Sequence, residues 1–445
     1  MSRYKRYERY KDSGVEWIGE IPEHWEVSKL KYLTYCLDGK RIPLSSEQRG
    51  EMQGDIPYWG ANCIIDYVND WLIDGEVVLL GEDGAPFFDK YKDVAFYSNG
   101  RIWPNNHVHV LRALQSINAK LLTYILNTVD YSNYIKGSTR DKLTQAEMKN
   151  IFIQLLPVRE QKAIVNFLDQ KTNKIDSLIA DKEKLIELLQ EKRQAIITET
   201  VTKGLNPNVK MKDSGIEWIG EIPEHWSITK MKYLLSPKKY SIKAGPFGSQ
   251  LKNDDMVSGD VKVYNQKTVL DNDFKSGDYY IENYKYEELR AFEVFSGDLL
   301  VTTRGTIGKT AIVPKDAEKG ILHPCLIKIT LNPDKVLNEY INVVFNNTKI
   351  VTNQIMLESN ATTIDVIYTD TLKNLVLPIP PLEEQKSIID FVDAKIGEID
   401  GLISSINNQI QKLKEYRQSL ISEAVTGKID VREFQNKNEV IFRNE

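Results

Sequence analysis

KDSGVEWIGEIPEHWE occupies residues 11–26, and KDSGIEWIGEIPEHWS occupies residues 212–227. The two stretches differ only at Val15/Ile216 and Glu26/Ser227, and the match continues weakly through LKYL (30–33) and MKYL (231–234). Chance does not return such a stretch, so the chain carries an internal repeat, and repeats decide architecture before any local reading does. A second pair lies at an offset of 224 residues: LPVREQKAIVNFLDQKTNKIDSLIADKEKLIELLQEKRQAIITETVT (156–202) against PPLEEQKSIIDFVDAKIGEIDGLISSINNQIQKLKEYRQSLISEAVT (380–426). The order along the chain is segment, helix, segment, helix.

The second pair reads as helix. Alternate steps of four and three from Ile164 reach Leu168, Lys171, Ile175, Leu178, Lys182, Leu185, Leu189, Lys192 and Ile196, a heptad seam interrupted by three lysines. The second copy keeps that register through Ile388, Val392, Lys395, Ile399, Leu402, Ile406, Gln409, Leu413, Tyr416 and Leu420. Each helix is expected to run about 40 residues, roughly 60 Å at 1.5 Å per residue. Pro157 and Pro381 mark the starts, and the EQK after each suits a first helical turn. Apolar seams need a partner. Burial of the two against each other within one chain, as an antiparallel pair, is the economical solution, and a homodimeric coiled coil is the other.

The segments before the helices contain short β-branched and aromatic runs broken by Gly, Asn, Asp and Pro: Glu76–Leu80, His107–Leu111, Val261–Tyr264, Leu299–Thr302 and Leu326–Leu331. They diverge between copies while the opening motif and the helices repeat. The expected fold class is α+β: two mixed α/β recognition domains (1–155 and 206–378), long antiparallel coiled-coil spacer helices (156–205 and 379–430), a tail (431–445) and internal pseudo-two-fold symmetry. One framework presented twice with two different contents suits two readers of unlike targets.

Composition agrees with a multidomain globular chain. Its 445 residues exceed what one core usually serves, and 41% hydrophobic and 27% charged residues with a mean hydropathy of -0.38 are ordinary. No apolar run of about 18 residues appears, so no membrane span is expected. Met1–Lys11 alternates basic residues with tyrosines and lacks the apolar core of a secretory signal, which points to the cytoplasm. Cys36, Cys63 and Cys325 are dispersed and odd in number, which fits a reducing compartment and excludes a disulfide framework or a Cys-x-x-Cys site. A net charge of -5 means that contact with nucleic acid must be local, as in Lys238–Lys252 or Arg3–Lys11.

The arrangement resembles the specificity subunits of type I restriction-modification enzymes. SGxEWIGEIPEHW opens each half, PxxEQxxIxxFxD (157–169 and 381–393) opens each helix, and ETVTKG (199–204) and EAVTGK (423–428) close them. The resemblance implies target recognition domains in the variable segments, helices that hold them at fixed distance, and two methyltransferase subunits docked on the repeated parts. Restriction subunits would join through the methyltransferase, and the chain itself would need no cofactor. The family does not fix the variable sequences, so no target carries over. Independently, antiparallel helices turn a direct repeat into a pseudo-two-fold object matched to the local dyads of a DNA duplex, which predicts a bipartite, asymmetric target with an unread middle.

Loops rich in turn formers, polar groups and aromatics are the candidate double-stranded DNA contacts. In the first segment these are Tyr58, Trp59 and Asn62, then Glu82 and Asp83, Asn106 and His107, and the basic cluster Lys136, Arg140 and Lys142. Asn62 suits adenine, and Glu82 or Asp83 suits the cytosine amino group. In the second they are Lys243, Phe247, Ser249, Gln250 and Lys252, Asn265–Gln266–Lys267, and Thr303, Arg304 and Thr306. GDLL (297–300) parallels GEVV (75–78), so Arg304 falls where Glu82 stands and would exchange a cytosine preference for a guanine edge. Ordinary turns are the competing reading for all of these. Trp17, Trp25, Trp218 and Trp226 are either buried anchors or a docking face presented twice.

Catalytic and metal readings fail on spacing. Gly308–Lys309–Thr310 lacks the earlier glycine of a P-loop, since Thr303 stands there. His107 and His109 have no Cys or carboxylate close in sequence to complete a metal site, and the only Pro-Pro, Pro380–Pro381, lacks the Asn/Asp and aromatic flanks of an amino-methyltransferase. Pro333–Asp334 has no close acidic-x-Lys partner of a nuclease. A non-catalytic DNA-recognition subunit is expected, and a coiled-coil scaffold without sequence-selective binding is the alternative.

Overall fold

The computed structural model describes residues 4–135, 141–359 and 366–434. Two compact units emerge, one from residues 1–184 with 406–445 and the other from 185–405. Each therefore owns one variable segment and parts of both long helices.

In the first unit a four-stranded antiparallel sheet runs in the order Thr34–Cys36, Val108–Ala113, Glu76–Gly81, Ala95–Asn99. Its central strands are near-continuous apolar runs because both faces are covered, and Val77 to Leu80 are fully buried. The helix Ala119–Leu126, started by the Asn118 side chain accepting from the Leu121 amide, packs on this sheet. A second sheet joins Ile64–Val68, Gln53–Trp59 and Trp103–Pro104 over a small core of Tyr58, Val68 and Trp103.

The second unit repeats the plan with different residues. Its main sheet runs Ile242–Ala244, Leu326–Ile329, Leu299–Thr302, Thr310–Ile312, again antiparallel, and the helix Asn338–Asn347 packs against the last strand. The second sheet has four strands, Tyr280–Ile281, Val261–Tyr264, Gly320–Leu322 and Glu293–Val294. The strand runs anticipated from the sequence are all present, three of them with shifted ends: Glu76–Gly81 for Glu76–Leu80, Val108–Ala113 for His107–Leu111, and Leu326–Ile329 for Leu326–Leu331.

The long helices are Val158–Lys203 (46 residues) and Leu382–Val425 (44 residues), about 66–69 Å each at 1.5 Å per residue. Within the first unit Asp176 pairs with Arg417 at 2.9 Å and Lys182 donates to Gln409 at 2.6 Å. Numbers rise on one helix as they fall on the other, so the pair is antiparallel. Within the second unit Arg193 meets Asp400 at 3.6 Å. That pair is the first one carried through the 224-residue offset, 176 to 400 and 417 to 193.

Half of the expected seam is displaced by one residue. Ile175, Lys182, Leu189 and Ile196 face inward as anticipated, but the alternate positions are Thr172, Ile179, Ile186 and Arg193 rather than Lys171, Leu178, Leu185 and Lys192. Leu178 and Leu185 are 50% and 44% exposed, whereas Ile179 is buried. The second helix shows the same shift: Ile396, Ile403, Ile410 and Arg417 replace Lys395, Leu402, Gln409 and Tyr416. A step order of four then three from Ile175 is the phase the structure shows.

Candidate nucleic-acid interface

The two repeated motifs meet each other inside each unit. Glu160, in the first turn of the first long helix, accepts from Trp25 Nε1 at 2.9 Å and from the Tyr7 hydroxyl at 3.0 Å, and bonds His24 Nε2 at 2.7 Å. Glu384 does the same for Trp226 Nε1 at 2.7 Å and His225 Nε2 at 2.5 Å. The neighbouring Gln161 accepts from the Asn118 amide and donates to the Ser116 and Leu156 carbonyls, and Gln385 accepts from the Leu337 amide and donates to the Lys335 and Pro380 carbonyls. EHW and EQ are thus two halves of one clamp joining strand, helix and sheet-covering helix. Burial, with the Glu160 charge next to it, pushes the Tyr7 phenol far above its ordinary value.

This clamp accounts for two of the four tryptophans. Trp25 and Trp226 are 0% and 1% exposed, so they are anchors and not a docking face; an indole N–H already bound to a carboxylate has no further donor to offer. Trp17 is half-buried beside Phe88, Tyr91 and Gln418 in a groove of about 550 Å³, and Trp218 remains 39% exposed.

In the first unit four loops converge at one end of the main sheet. The Asn105 amide bonds the Trp59 carbonyl, the Glu82 amide bonds the His107 carbonyl, and Leu143 and Gly84 tie the 82–84 turn to residues 141–143. Asn62 and Asn106 are exposed there, and His107 is half-exposed with Nδ1 3.5 Å from Asp83. Two sequence candidates point inward. Tyr58 is 2% exposed and its hydroxyl accepts from the Leu44 amide. Glu82 is held at 2.5 Å by Arg41 and at 3.3 Å by Lys142 with its side chain only 12% exposed, so it is a structural carboxylate turned away from the loop surface. Trp59 is half-buried, 5.5 Å from the Phe96 ring centroid. Lys136 and Arg140 lie outside the described residues.

Beneath these loops sits a network that sequence reasoning did not assemble. His109, fully buried, has both nitrogens engaged, one with Asp38 Oδ2 at 2.7 Å and the other with the Leu143 carbonyl at 2.8 Å. Burial alone would raise the Asp38 carboxyl, but the His109 bond and charge, the Val110 amide and Arg41 hold it down at about 2. Asp38, Glu82 and His109 have the spacing of metal ligands, yet Arg41, 3.5 Å from Asp38, and Lys142 supply the positive charge. Both imidazole nitrogens are already taken up by protein partners, Asp38 and the Leu143 carbonyl. Arg41 and Asp38 carried no sequence signal, since their partners stand 41 and 71 residues away.

The second unit gathers its loops at the corresponding sheet end. Gly245 is pinned by its amide to the Leu326 carbonyl, and a Cβ there would lie 2.2 Å from the His323 carbonyl oxygen, so only glycine lets the 245–250 turn approach. Gln266 donates to the Arg304 carbonyl at 2.9 Å, joining the 265–267 and 303–306 turns. Phe247 (80% exposed), Ser249, Gln250, Lys252, Lys267, Arg304 and Thr306 face solvent. Thr303 does not: it is 4% exposed with its hydroxyl on the Cys325 carbonyl. Asn265 caps the helix Gln266–Leu270, and Lys243 lies half-buried over the Tyr240 and Phe292 rings, so both have local structural duties. The inferred exchange of Glu82 for Arg304 is not like for like, because the glutamate is tied inward and the arginine is exposed.

Two sheet units, each closed at one end by a repeated clamp and opening at the other into unlike loops, define a duplicated recognition chain. The family model for the type I restriction modification DNA specificity domain matches it twice, at residues 22–188 and 246–412, and the chain belongs to that family. It is a specificity subunit with two target recognition domains, and not a catalytic one. A Haemophilus influenzae protein provisionally named as a type I restriction enzyme specificity subunit is 29% identical over 409 residues, covering 89% of this chain and 94% of the relative. The MjaVIII specificity subunit of Methanocaldococcus jannaschii is 24% identical over 436 residues, covering 93% and 94%. A chain from a solved type I restriction-modification system, described for complex assembly and conformational transition, superposes with a TM-score of 0.61 at 14% identity, covering 91% of this chain and 98% of that one. Among the described residues no helix is long and apolar enough to cross a membrane.

Proposed function

We propose that the chain reads a bipartite, asymmetric DNA target, one half-site per recognition domain (1–155 and 206–378), and carries two methyltransferase subunits through which restriction subunits join, in the cytoplasm. The observation that carries this is the contrast between a clamp whose His, Trp, Glu and Gln recur in both units and open loop clusters that share no side chains. A fixed framework with exchangeable tips is what reading two unlike sequences requires. Asn62, Asn106, His107 and Lys142 in the first domain, and Phe247, Gln250, Gln266, Lys267, Arg304 and Thr306 in the second, are the contacts we assign. Asp83 serves by orienting His107. Trp17 and Trp218 remain as partner-facing residues.

Co-expression with the cognate methyltransferase, followed by mapping of methylated positions across a genome, tests the reading. A split motif with unlike halves is the expected result, and methylation without any shared motif refutes it. Arg304→Ala should relax one base position in the second half-site by about 1–3 kcal/mol of discrimination and leave the first half-site unchanged.

A further inference from the structure

One stretch of the repeat is explained neither by the clamp nor by the cores. In LKYL (30–33) and MKYL (231–234) the outer residues are retained because they are buried, Leu30 and Leu33 at 0% and 3%, Met231 and Leu234 at 0% and 2%. The inner Lys-Tyr pairs have no such reason. Tyr32 is 64% and Tyr233 59% exposed, and Lys31 and Lys232 each lie 4.9 Å over the adjoining tyrosine ring. Both pairs sit on one-turn 3-10 helices, Leu30–Tyr32 and Met231–Tyr233, built in the same way. Among the described residues no carboxylate pairs with either ammonium. The helix Gln145–Lys149, with Glu147 and Lys149 on it, packs on the first turn, and on the second a second cation, Lys335, donates through Nζ to the Tyr233 carbonyl.

Their position separates them from the loop clusters. In the first unit Thr34 pairs with Ala113, whereas the 81–84 turn leaves the sheet where Gly81 pairs with Val108. In the second, Leu235 bridges Leu331, whereas the 303–306 turn follows Thr302 opposite Leu326. The separation is five residue steps in each case, 108 to 113 and 326 to 331, about 17 Å at 3.4 Å per residue. Each pair therefore occupies the sheet end that leads into a long helix, next to the strand pairs Glu26–Lys29 with Phe152–Leu155 and Ser227–Lys230 with Val376–Ile379.

We propose that Lys31–Tyr32 and Lys232–Tyr233 are two equivalent docking points for an acidic surface on a protein bound in two copies, one per unit. An identical exposed cation and phenol, kept twice while the loops around them diverged, fits a partner that is itself the same twice, and the uncompensated lysines ask for carboxylates from it. Resting on the reading above, this names the methyltransferase subunits as the occupants. DNA phosphate is the competing occupant. The test uses the full chain co-purified with its methyltransferase and compares Lys31→Glu/Tyr32→Ala, Lys232→Glu/Tyr233→Ala and the four-fold combination by native mass. Exposed side chains should leave the melting curve unchanged. The expected result is one copy lost in each site variant and both in the combination, with the salt dependence of DNA binding by the isolated chain unaltered. Retention of both copies by the combination overturns the proposal. So does an intact assembly whose slope of log K against log salt flattens by about 0.9 per altered lysine, which assigns the pairs to phosphate. A wild-type chain that binds its DNA target yet holds no methyltransferase removes the partner half of the functional reading, and this surface with it.

Discussion

Replacing the clamp carboxylates should separate the two units by stability, because they are not equally dependent on them. Glu160→Ala removes an acceptor shared by Tyr7 and Trp25, which are 6% and 0% exposed, and the Glu160 side chain is itself only 10% exposed. Hydrogen bonds to a charged group contribute about 1.5–3 kcal/mol each, and a buried donor left without an acceptor bears its full desolvation cost. Two such donors sharing one carboxylate put the loss at about 3–5 kcal/mol. Glu384 holds Trp226 and His225, but its side chain is 43% exposed, and water replaces much of what it gives, so Glu384→Ala should cost about 1–2 kcal/mol. A chain of two units need not unfold in one step. Hydrogen exchange read peptide by peptide is therefore the assay: Glu160→Ala should raise exchange through global opening in Val108–Leu111 by more than about 100-fold, and Glu384→Ala in Leu299–Thr302 by about 5- to 30-fold. Equal losses, or a larger one in the second unit, would refute the account of the clamp.

Three further outcomes follow from the same geometry. Asp38 is held at about 2 in the folded chain against an ordinary 3.8; a carboxyl depressed on folding gives stability that is complete above about pH 4 and is withdrawn as pH falls toward 2, and Asp38→Asn should erase that part of the acid titration of stability. Ile179→Ala should destabilise by about 2–3 kcal/mol and Leu178→Ala by less than about 0.5, measured by urea midpoint, since only the former residue lies in the seam. Both helix-ending glycines, Gly204 and Gly427, have φ near +70°, but a Cβ at Gly427 lies 2.4 Å from Pro22 and one at Gly204 no closer than 3.2 Å to Trp226. Gly427→Ala should thus lower the melting temperature further than Gly204→Ala, which bears only the left-handed penalty of about 1 kcal/mol.

What was legible in the sequence was whatever repeats or runs locally. The long helices and the five strand runs follow from periodicity that needs no distant partner. The seam phase did not, because Leu178, Leu185 and Leu402 are apolar residues left on the exposed side and Arg193 and Arg417 are charged residues turned inward to meet Asp400 and Asp176. Hydrophobicity alone cannot distinguish those cases, since long arginine stems bury readily when a carboxylate awaits the tip. The loops were legible as loops but not as surfaces. Tyr58, Glu82 and Thr303 share the composition of their exposed neighbours, and what turns them inward is an amide, a guanidinium and a carbonyl from Leu44, Arg41 and Cys325. Such pairings are set by sheet register, which local composition does not encode.

The closing of each unit explains why the repeat keeps its motifs in pairs. Gly204, where the first long helix ends, packs on Pro223 and Trp226 of the second opening motif. Gly427, where the second helix ends, packs on Pro22 and Trp25 of the first, and its carbonyl accepts from the Tyr10 hydroxyl. Gln154 of the first unit likewise donates to the Val425 carbonyl, and Tyr340 of the second donates to that of Val201. Each recognition sheet is therefore finished by the start of the helix that follows it and by the end of the other helix. Neither helix can be lost without opening both units, since each contributes a clamp carboxylate to one and a terminal glycine contact to the other. The loops at the far sheet ends take no part in this closure, so a substitution there alters no clamp residue. The physical separation of what must hold from what must vary is built into which end of each sheet the motifs occupy.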